Sequence, residues 1–277
     1  MPAPKDLEGI RIENVHIPSQ DERTQVRLRI YKPENTSAPT PVLLWMHGGG
    51  YVIGRPEQDD ASCVQYVRDL GITIVSVDYR CAPKHPFPAG LDDCHAALKW
   101  VASHAQEFHI DPKRIAVGGN SAGGGLAAAL AQLAHDRNEI KVAFQLLIYP
   151  MLDDRTVLHT DIDDSSNITW HHNDNEFGWE SYLGQKCGVE DVPAYSVPAR
   201  RADLSGLPPA WIGVGDLDIF HDEDVAYANR LKNNGVECDL HIVTGAFHGF
   251  DVFDHKIPLV QEFRRSQMDS MKKFLAM

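Results

Sequence analysis

A serine in the pattern Gly-x-Ser-x-Gly, at residues 119–123, is the first group in this chain whose setting suggests chemistry. A short apolar segment, 115–117, leads directly into the pattern, and a run of small residues, 122–134, follows it. A strand–serine–helix turn of this kind lifts the hydroxyl above the carboxyl edge of a sheet, and its glycines avoid collisions with the neighbouring backbone. The alternative is a glycine-rich turn with no chemistry. The pattern favours Ser121 as a nucleophile, with a helix N-terminus beside any developing oxyanion.

Three consecutive glycines follow His47, directly after the apolar segment 42–46. Because glycines cost backbone entropy, this loop is expected to need a backbone without side chains. The N–H groups of such a loop, together with the N–H of Ala122, can stabilise the oxyanion of a tetrahedral intermediate. A plain flexible loop is the alternative interpretation. For His47 itself we predict a structural hydrogen bond rather than proton transfer.

A serine nucleophile needs a general base, and His248 has the most suitable position among the 14 histidines. It follows the strand-like segment 238–243 through a short loop, from which a base can reach back to the serine. The pair His171-His172 lacks the spacing of a metal site, and several other histidines are predicted to lie on the surface. These observations predict His248 as the base.

The carboxylate that orients this base is expected after the preceding strand, 210–214. Asp216 and Asp218 both follow that strand, and their positions alone leave the choice between them open. The acids at 222–224 are predicted to cap the next helix, because negative charge there complements the helix dipole. The resulting chain order is serine, aspartate, histidine, which differs from the orders of the two main serine-protease folds.

Apolar segments without alternation predict strands that are buried on both faces, as in a parallel sheet covered by helices. Such segments lie at 42–46, 72–77, 115–117, 142–149 and 211–214. Helical spacing occurs between them, and alternating residues near the start predict two antiparallel strands at that edge. We therefore predict one α/β domain over residues 1–277, with a mostly parallel, twisted, eight-stranded sheet flanked by helices. Residues 151–204 break the alternation of strands and helices and predict a cap-like insertion.

The overall composition is that of a globular enzyme and disfavours several other classes of protein. The chain has 277 residues, 43% of them hydrophobic, and a formal net charge of −13. Nucleic-acid binding needs a basic patch, and no run rich in Lys or Arg exists. The longest apolar stretches have the length of strands, so no membrane span or secretory signal is predicted. Five scattered cysteines without a close pair predict reduced thiols and a cytoplasmic location.

The ordered motifs resemble those of the bacterial hormone-sensitive-lipase family of α/β-hydrolases. That family's His-Gly-Gly-Gly, Gly-x-Ser-Ala-Gly-Gly, Asp-x-Leu-x-Asp-Glu and His-Gly-Phe motifs correspond to residues 47–50, 119–124, 218–223 and 248–250. The resemblance implies a carboxylesterase that acts on short acyl chains through an acyl-enzyme, without a metal or other cofactor. It also implies Asp218 as the acid and the N–H groups of Gly49, Gly50 and Ala122 as the oxyanion hole.

This chain departs from the family pattern at two motif positions and at its N-terminal side. Asn120 stands where the family commonly has Asp, and Phe220 where it has Leu. Asn120 is predicted to alter hydrogen bonding in the serine turn without touching the triad, and Phe220 is predicted to be a packing change. Only 46 residues precede His47, which predicts a reduced cap built mostly from the insertion.

Five residues are candidates for contact with the substrate. Three are aromatic residues of the insertion, for which packing within the cap is the alternative. The set comprises Tyr51, Met151, Trp170, Phe177 and Trp179.

Other functions remain as alternatives to ester hydrolysis. An arylformamidase or a deacetylase of sugars or xenobiotics would use the same triad. A non-catalytic ligand-binding homologue is a further alternative, although receptors of that kind tend to have lost the histidine. A small-molecule ester is the expected partner, and the last strand and helix could also support a homodimer.

Overall fold

A single eight-stranded sheet forms the centre of the molecule in this computed structural model, which describes residues 7–159 and 167–277. The strand order is β1-β2-β4-β3-β5-β6-β7-β8. The strands are β1 Ile10–Pro18, β2 Gln25–Pro33, β3 Thr40–Met46, β4 Thr73–Asp78, β5 Ile110–Asn120, β6 Phe144–Ile148, β7 Ala210–Gly215 and β8 Cys238–Val243. The predicted α/β sheet is confirmed, including its predominantly parallel character.

Among the described strands, β2 alone runs against the others. β2 pairs antiparallel with both β1 and β4, so β1 points in the same direction as the parallel strands. The predicted antiparallel pair of strands at this edge is confirmed. The alternation of side chains identified a half-exposed strand, but strand direction depends on its pairing.

In the described part of the chain, six α-helices connect and cover the strands: α1 Asp60–Leu70, α2 Ala89–Ser103, α3 Ala122–Arg137, α4 His172–Leu183, α5 His221–Asn233 and α6 Pro258–Phe274. Apolar residues of α2, α3 and α5 belong to one hydrophobic core. Those of α1 and α6 belong to a second core, on the opposite face of the sheet.

The central strand β3 illustrates why its sequence shows no alternation. Val42, Leu44 and Met46 pack into the first core, whereas Leu43 and Trp45 pack into the second. Every residue of β3 is buried, since helices cover both faces. The carboxyl ends of β3, β5, β7 and β8 lead into the loops that carry the candidate catalytic residues.

Between β6 and β7, the described residues include α4 and the short 3₁₀ helices Asp154–Leu158 and Pro198–Arg200. This segment contains the predicted cap-like insertion. The acidic run at 161–164 lies outside the described residues.

Candidate active site

Ser121 occupies a strained turn between β5 and α3. Its φ of 55° and ψ of −123° lie in a region that side chains seldom adopt. The flanking glycines make this turn feasible, because a Cβ at Gly119 or Gly123 would lie 2.3 or 2.1 Å from the carbonyl oxygen of Met46. The Ser121 N–H donates to the carbonyl oxygen of Ile148 at 2.9 Å, which ties the turn to β6.

A hydrogen-bonded chain joins Ser121, His248 and Asp218. His248 Nε2 lies 2.9 Å from Ser121 Oγ, and His248 Nδ1 lies 2.8 Å from Asp218 Oδ2. Because a carboxylate oxygen only accepts, the proton of a neutral imidazole resides on Nδ1, and Nε2 is free to accept the serine proton. All three residues are buried. The structure thus brings together the predicted nucleophile, base and acid.

The structure also distinguishes the two aspartates that the sequence order left open. Asp218 Oδ1 accepts the backbone N–H of Phe220 at 2.9 Å, so the carboxylate is held from both sides. Asp216 is exposed and accepts the N–H of Gly245 instead. Asp218 is therefore the carboxylate in position to orient His248.

The imidazole of His248 is held by aromatic edges that the motifs alone did not reveal. The Tyr149 ring centroid lies 4.8 Å from that of His248 and the Phe220 centroid 5.0 Å from it, both in edge arrangements. Thr169 Oγ1, in the insertion, donates to the His248 carbonyl oxygen. Phe220, predicted as a packing change only, thus contacts the catalytic base directly. Tyr149 could have been found from its place at the carboxyl end of β6.

Asn120 is the other departure from the family pattern, and its side chain hydrogen-bonds Tyr149, whose ring contacts His248. Its amide hydrogen-bonds the carboxyl of Asp59, which also accepts Trp45 Nε1 at 2.8 Å. Burial raises the pKa of Asp59 to about 7, although these two hydrogen bonds act in the opposite direction. The change at position 120 accordingly affects the hydrogen bonding behind the nucleophile turn.

The loop after β3 carries Gly49 and Gly50, whose N–H groups are the predicted oxyanion donors, and it requires glycine at both positions. We call it the glycine loop, or candidate oxyanion loop. Gly49 and Gly50 have φ values of 121° and 58°, and a Cβ on Gly49 would lie 2.0 Å from the Ile53 carbonyl oxygen. His47 is buried beneath this loop, where its Nδ1 donates to the Gly48 carbonyl oxygen at 2.9 Å. Burial lowers the pKa of His47 to about 4, which keeps the ring neutral. This geometry agrees with a structural role for His47.

Three of the five predicted substrate-binding residues do not lie on an open pocket wall. Tyr51, Met151 and Trp179 are buried, with at most 2% of each residue exposed. The rings of Tyr51 and Trp179 lie 5.3 Å apart, and the Tyr51 hydroxyl donates to the carbonyl oxygen of Met151. Their burial argues against direct contact with a substrate, because residue type alone does not reveal which way a loop turns its side chains. These residues instead connect the glycine loop to the insertion.

Trp170 packs against the glycine loop, whereas Phe177 is exposed. Trp170 is half-buried against the glycine loop, and a Cβ on Gly50 would lie 2.1 Å from its Cη2 atom. Gly178 of α4 approaches the same loop, since a Cβ there would lie 2.8 Å from the Gly50 carbonyl oxygen. Phe177 is 58% exposed. Of these two aromatic residues, Trp170 is the one that contacts Gly50.

The acids at the start of α5 do more than complement its dipole. Glu223 is buried and accepts the N–H groups of Leu152 and Asp153, which fastens the start of the insertion to α5. Asp224 is fully buried, and neither of its carboxyl oxygens has a hydrogen-bond partner among the described residues. Burial raises the pKa of Asp224 well above its usual range, and the nearby acids Glu223 and Asp218 raise it further. All three acids lie in the first turn of α5, as predicted, but of the three only Asp222 is exposed.

Asp224→Ala is expected to stabilise the fold by about 1–3 kcal/mol, because it removes a buried polar group without a partner. The raised pKa makes unfolding of the wild type release a proton, so its stability falls as pH rises from the ordinary acid range towards that value. The gain should therefore be larger at pH 8 than at pH 5, as measured by urea unfolding. Asp222→Ala is the matched control and should change little. A loss of stability at both pH values would contradict this prediction.

Within residues 7–159 and 167–277, no three His, Cys, Asp or Glu side chains are grouped to hold a metal ion. His171 and His172 stand at the start of α4, and Asp174 accepts the N–H of His171. No helix in the described part of the chain is long and apolar enough to cross a bilayer.

Comparison with known proteins gives a consistent assignment. Residues 43–252 match the model of a family described as having the α/β-hydrolase fold. Carboxylesterase NlhH of Mycobacterium tuberculosis is 35% identical over 275 residues, which span 98% of this chain and 85% of the relative. The ethyl acetate hydrolase of Pseudomonas putida is 32% identical over 86% of this chain and 75% of its own length. This chain therefore belongs to the α/β-hydrolase family, in the hormone-sensitive-lipase-like group that its motifs resemble.

Solved structures agree with this assignment. A bacterial heroin esterase superposes with a TM-score of 0.92 at 39% sequence identity, covering 98% of this chain and 86% of that one. An esterase of Pyrobaculum calidifontis superposes with a TM-score of 0.84 at 32% identity, covering 95% and 85%. The predicted fold class is confirmed by both.

Proposed function

We propose that this chain is a serine carboxylic ester hydrolase with Ser121, His248 and Asp218 as its catalytic triad. The observation that carries the proposal is the continuous chain of contacts, 2.9 and 2.8 Å long, from the serine hydroxyl through the imidazole to the carboxylate. Relatives named as carboxylesterase and ethyl acetate hydrolase support ester chemistry.

Acylation begins when Ser121 Oγ attacks the ester carbonyl carbon and its proton passes to His248 Nε2. Asp218 holds the imidazole in orientation and stabilises its cation. The N–H groups of Gly49, Gly50 and Ala122 stabilise the oxyanion, each contributing about 3 kcal/mol. His248 then protonates the leaving alcohol as the carbon–oxygen bond breaks, and the acyl group remains on Ser121.

Deacylation repeats the same proton transfers with water as the nucleophile. His248 takes a proton from water as the oxygen attacks the acyl carbon, and the proton then passes to Ser121 Oγ as the carboxylic acid leaves. In both halves of the reaction, the proton is transferred through His248 Nε2. The proposed mechanism uses no cofactor or metal.

Short acyl chains are the proposed substrate class. The half-buried indole of Trp170 lies against Gly50 and occupies space beside the candidate oxyanion loop. A relative named for the hydrolysis of ethyl acetate supports the same class. The insertion at 151–204 is proposed to act as the cap, since both Trp170 and Gly178 approach Gly50 from it.

A series of p-nitrophenyl esters from acetate to palmitate tests this substrate class. We expect the highest kcat/KM among the short esters and a loss of at least about a thousandfold in Ser121→Ala. Turnover confined to the long esters would contradict the short-chain proposal. The absence of Ser121-dependent turnover of any ester would contradict the function itself.

The alternative functions are less well supported. An arylformamidase or a sugar or xenobiotic deacetylase would use the same triad, but the relatives compared above carry esterase or ester-hydrolase names. A non-catalytic binding protein would have no use for His248 in contact with Ser121. Ester hydrolysis is therefore preferred.

The proposed homodimer through the last strand and helix stays a prediction. It is supported by the position of β8 at the edge of the sheet, where its outer side has no strand neighbour in the described part of the chain. The cytoplasmic location also stays a prediction, and the five free cysteines are consistent with it.

A further inference from the structure

Tyr51 follows the glycines of the candidate oxyanion loop, but its side chain turns into the protein. Its φ is 65°, a value that a non-glycine residue adopts only where its surroundings hold it there. The residue is 2% exposed, so its phenol is inaccessible to a substrate in the site. The position of this ring therefore calls for a role other than substrate contact.

The Tyr51 hydroxyl is connected to the nucleophile through one intervening residue. It donates to the carbonyl oxygen of Met151 at 2.9 Å. The N–H of Met151 donates in turn to the carbonyl oxygen of Ser121 at 3.0 Å. Two hydrogen bonds through Met151 thus join the residue after Gly50 to the serine itself.

The surrounding packing leaves little freedom for this phenol. Its ring stacks on Tyr182 of α4 with centroids 4.0 Å apart and an interplanar angle of 15°. At the hydroxyl end of the side chain lies Gly125 of α3, where a Cβ would lie 2.2 Å from both the Tyr51 hydroxyl and the Met151 carbonyl oxygen. The hydroxyl therefore occupies a space that any larger residue at position 125 would obstruct.

We propose that Tyr51 is a positioning residue that sets the separation between the oxyanion N–H of Gly50 and Ser121. Donors of an oxyanion hole act only when they lie close to where the oxyanion forms, so a small shift of the loop lowers transition-state stabilisation. The N–H and carbonyl groups of Met151 link the loop to Ser121, and the stacked ring of Tyr182 restrains the loop from tilting. This inference rests on the proposed ester hydrolysis.

Tyr51→Phe keeps the ring and removes only the hydroxyl. We expect kcat for a short p-nitrophenyl ester to fall by about tenfold with KM nearly unchanged, a fraction of the effect of losing an oxyanion donor. Rates are taken per active site, counted by titration with a phosphonate that reacts with the serine, so that unfolded protein does not enter the comparison. Tyr227→Phe is the matched control, since it removes a buried hydroxyl that contacts Gln132 far along the chain from this loop.

A thionoester substrate separates positioning from a general structural role. Its developing charge lies on sulfur, which an oxyanion hole built for oxygen stabilises poorly. A displaced loop should therefore lower the rate on the oxygen ester more than on the thionoester, and reduce the ratio of the two by several-fold. Gly125→Ala keeps the tyrosine but displaces its hydroxyl, and should reduce the ratio in the same way.

The outcomes distinguish this inference from the proposed function. A wild-type ratio in both Tyr51→Phe and Gly125→Ala, with the wild type active on esters, would overturn the positioning role alone. If the wild type showed no Ser121-dependent ester hydrolysis, the proposed function and this inference would both fail. Should Tyr51→Phe not fold, the ratio measured in Gly125→Ala decides the matter.

Discussion

Ser121→Ala should lower kcat for a short p-nitrophenyl ester by at least about a thousandfold. In the described structure, Ser121 is the only residue whose hydroxyl hydrogen-bonds the imidazole of His248, with Oγ 2.9 Å from Nε2, and the variant lacks this hydroxyl. The remaining oxyanion donors and the bound substrate can still assist direct attack by water, so a small residual rate is expected.

The fold of this variant should be unchanged, because alanine fits the turn that serine occupies and the Ser121 N–H keeps its bond to Ile148. Initial rates and urea unfolding measured on the same preparations check both parts. Mass spectrometry after treatment with a serine-reactive phosphonate should find the adduct in the wild type and none in the variant. Ser103→Ala, which removes an exposed serine hydroxyl that contacts the Trp100 carbonyl, serves as the control. Activity of Ser121→Ala within tenfold of the wild type would contradict the assignment of the nucleophile.

Asp218→Asn should lower kcat/KM by about 10³- to 10⁴-fold, whereas Asp216→Asn should retain nearly full activity. Asp218 Oδ2 lies 2.8 Å from His248 Nδ1, so the amide of asparagine would favour the imidazole tautomer that cannot accept the serine proton. Asparagine also lacks the charge that stabilises the imidazolium. Asp216 accepts a backbone N–H at the surface, and the asparagine carbonyl can accept the same bond.

The two aspartate variants form a matched pair, since each replaces one carboxylate by an amide two positions apart on the same loop. Steady-state rates with p-nitrophenyl acetate, corrected for the number of titratable sites, are the measurement. The reverse ranking, with Asp216→Asn the more impaired variant, would mean that a different carboxylate orients the base.

The architecture could be predicted from the sequence because burial on two faces leaves a visible pattern. Segments such as 42–46 are apolar throughout, and the helices between them carry apolar residues at helical spacing. The antiparallel pair at the edge was also predicted, but alternation of side chains does not set a strand's direction relative to the parallel strands, which the pairing of β2 with β4 decides.

The nucleophile and the base could also be predicted, because each lies in a short motif at the carboxyl end of a strand. A side chain at Gly119 or Gly123 would collide with the carbonyl oxygen of Met46, so both positions require glycine, and the motif is therefore visible in the sequence. The packing role of Phe220 against His248 left no comparable trace, since a phenylalanine after a strand is common in any core.

What the sequence determined by itself was the set of reacting groups and the kind of sheet that carries them, because local backbone geometry and burial constrain residue type directly. What only the tertiary structure decided was the choice of Asp218 over Asp216 on geometric grounds, and the inward direction of Tyr51. Both depend on distances between segments that are far apart in the chain: the loops after β7 and β8 for the aspartate, and the glycine loop, the insertion and α3 for the tyrosine. Such distances are set by the packing of whole elements, and no pattern of neighbouring residues records them.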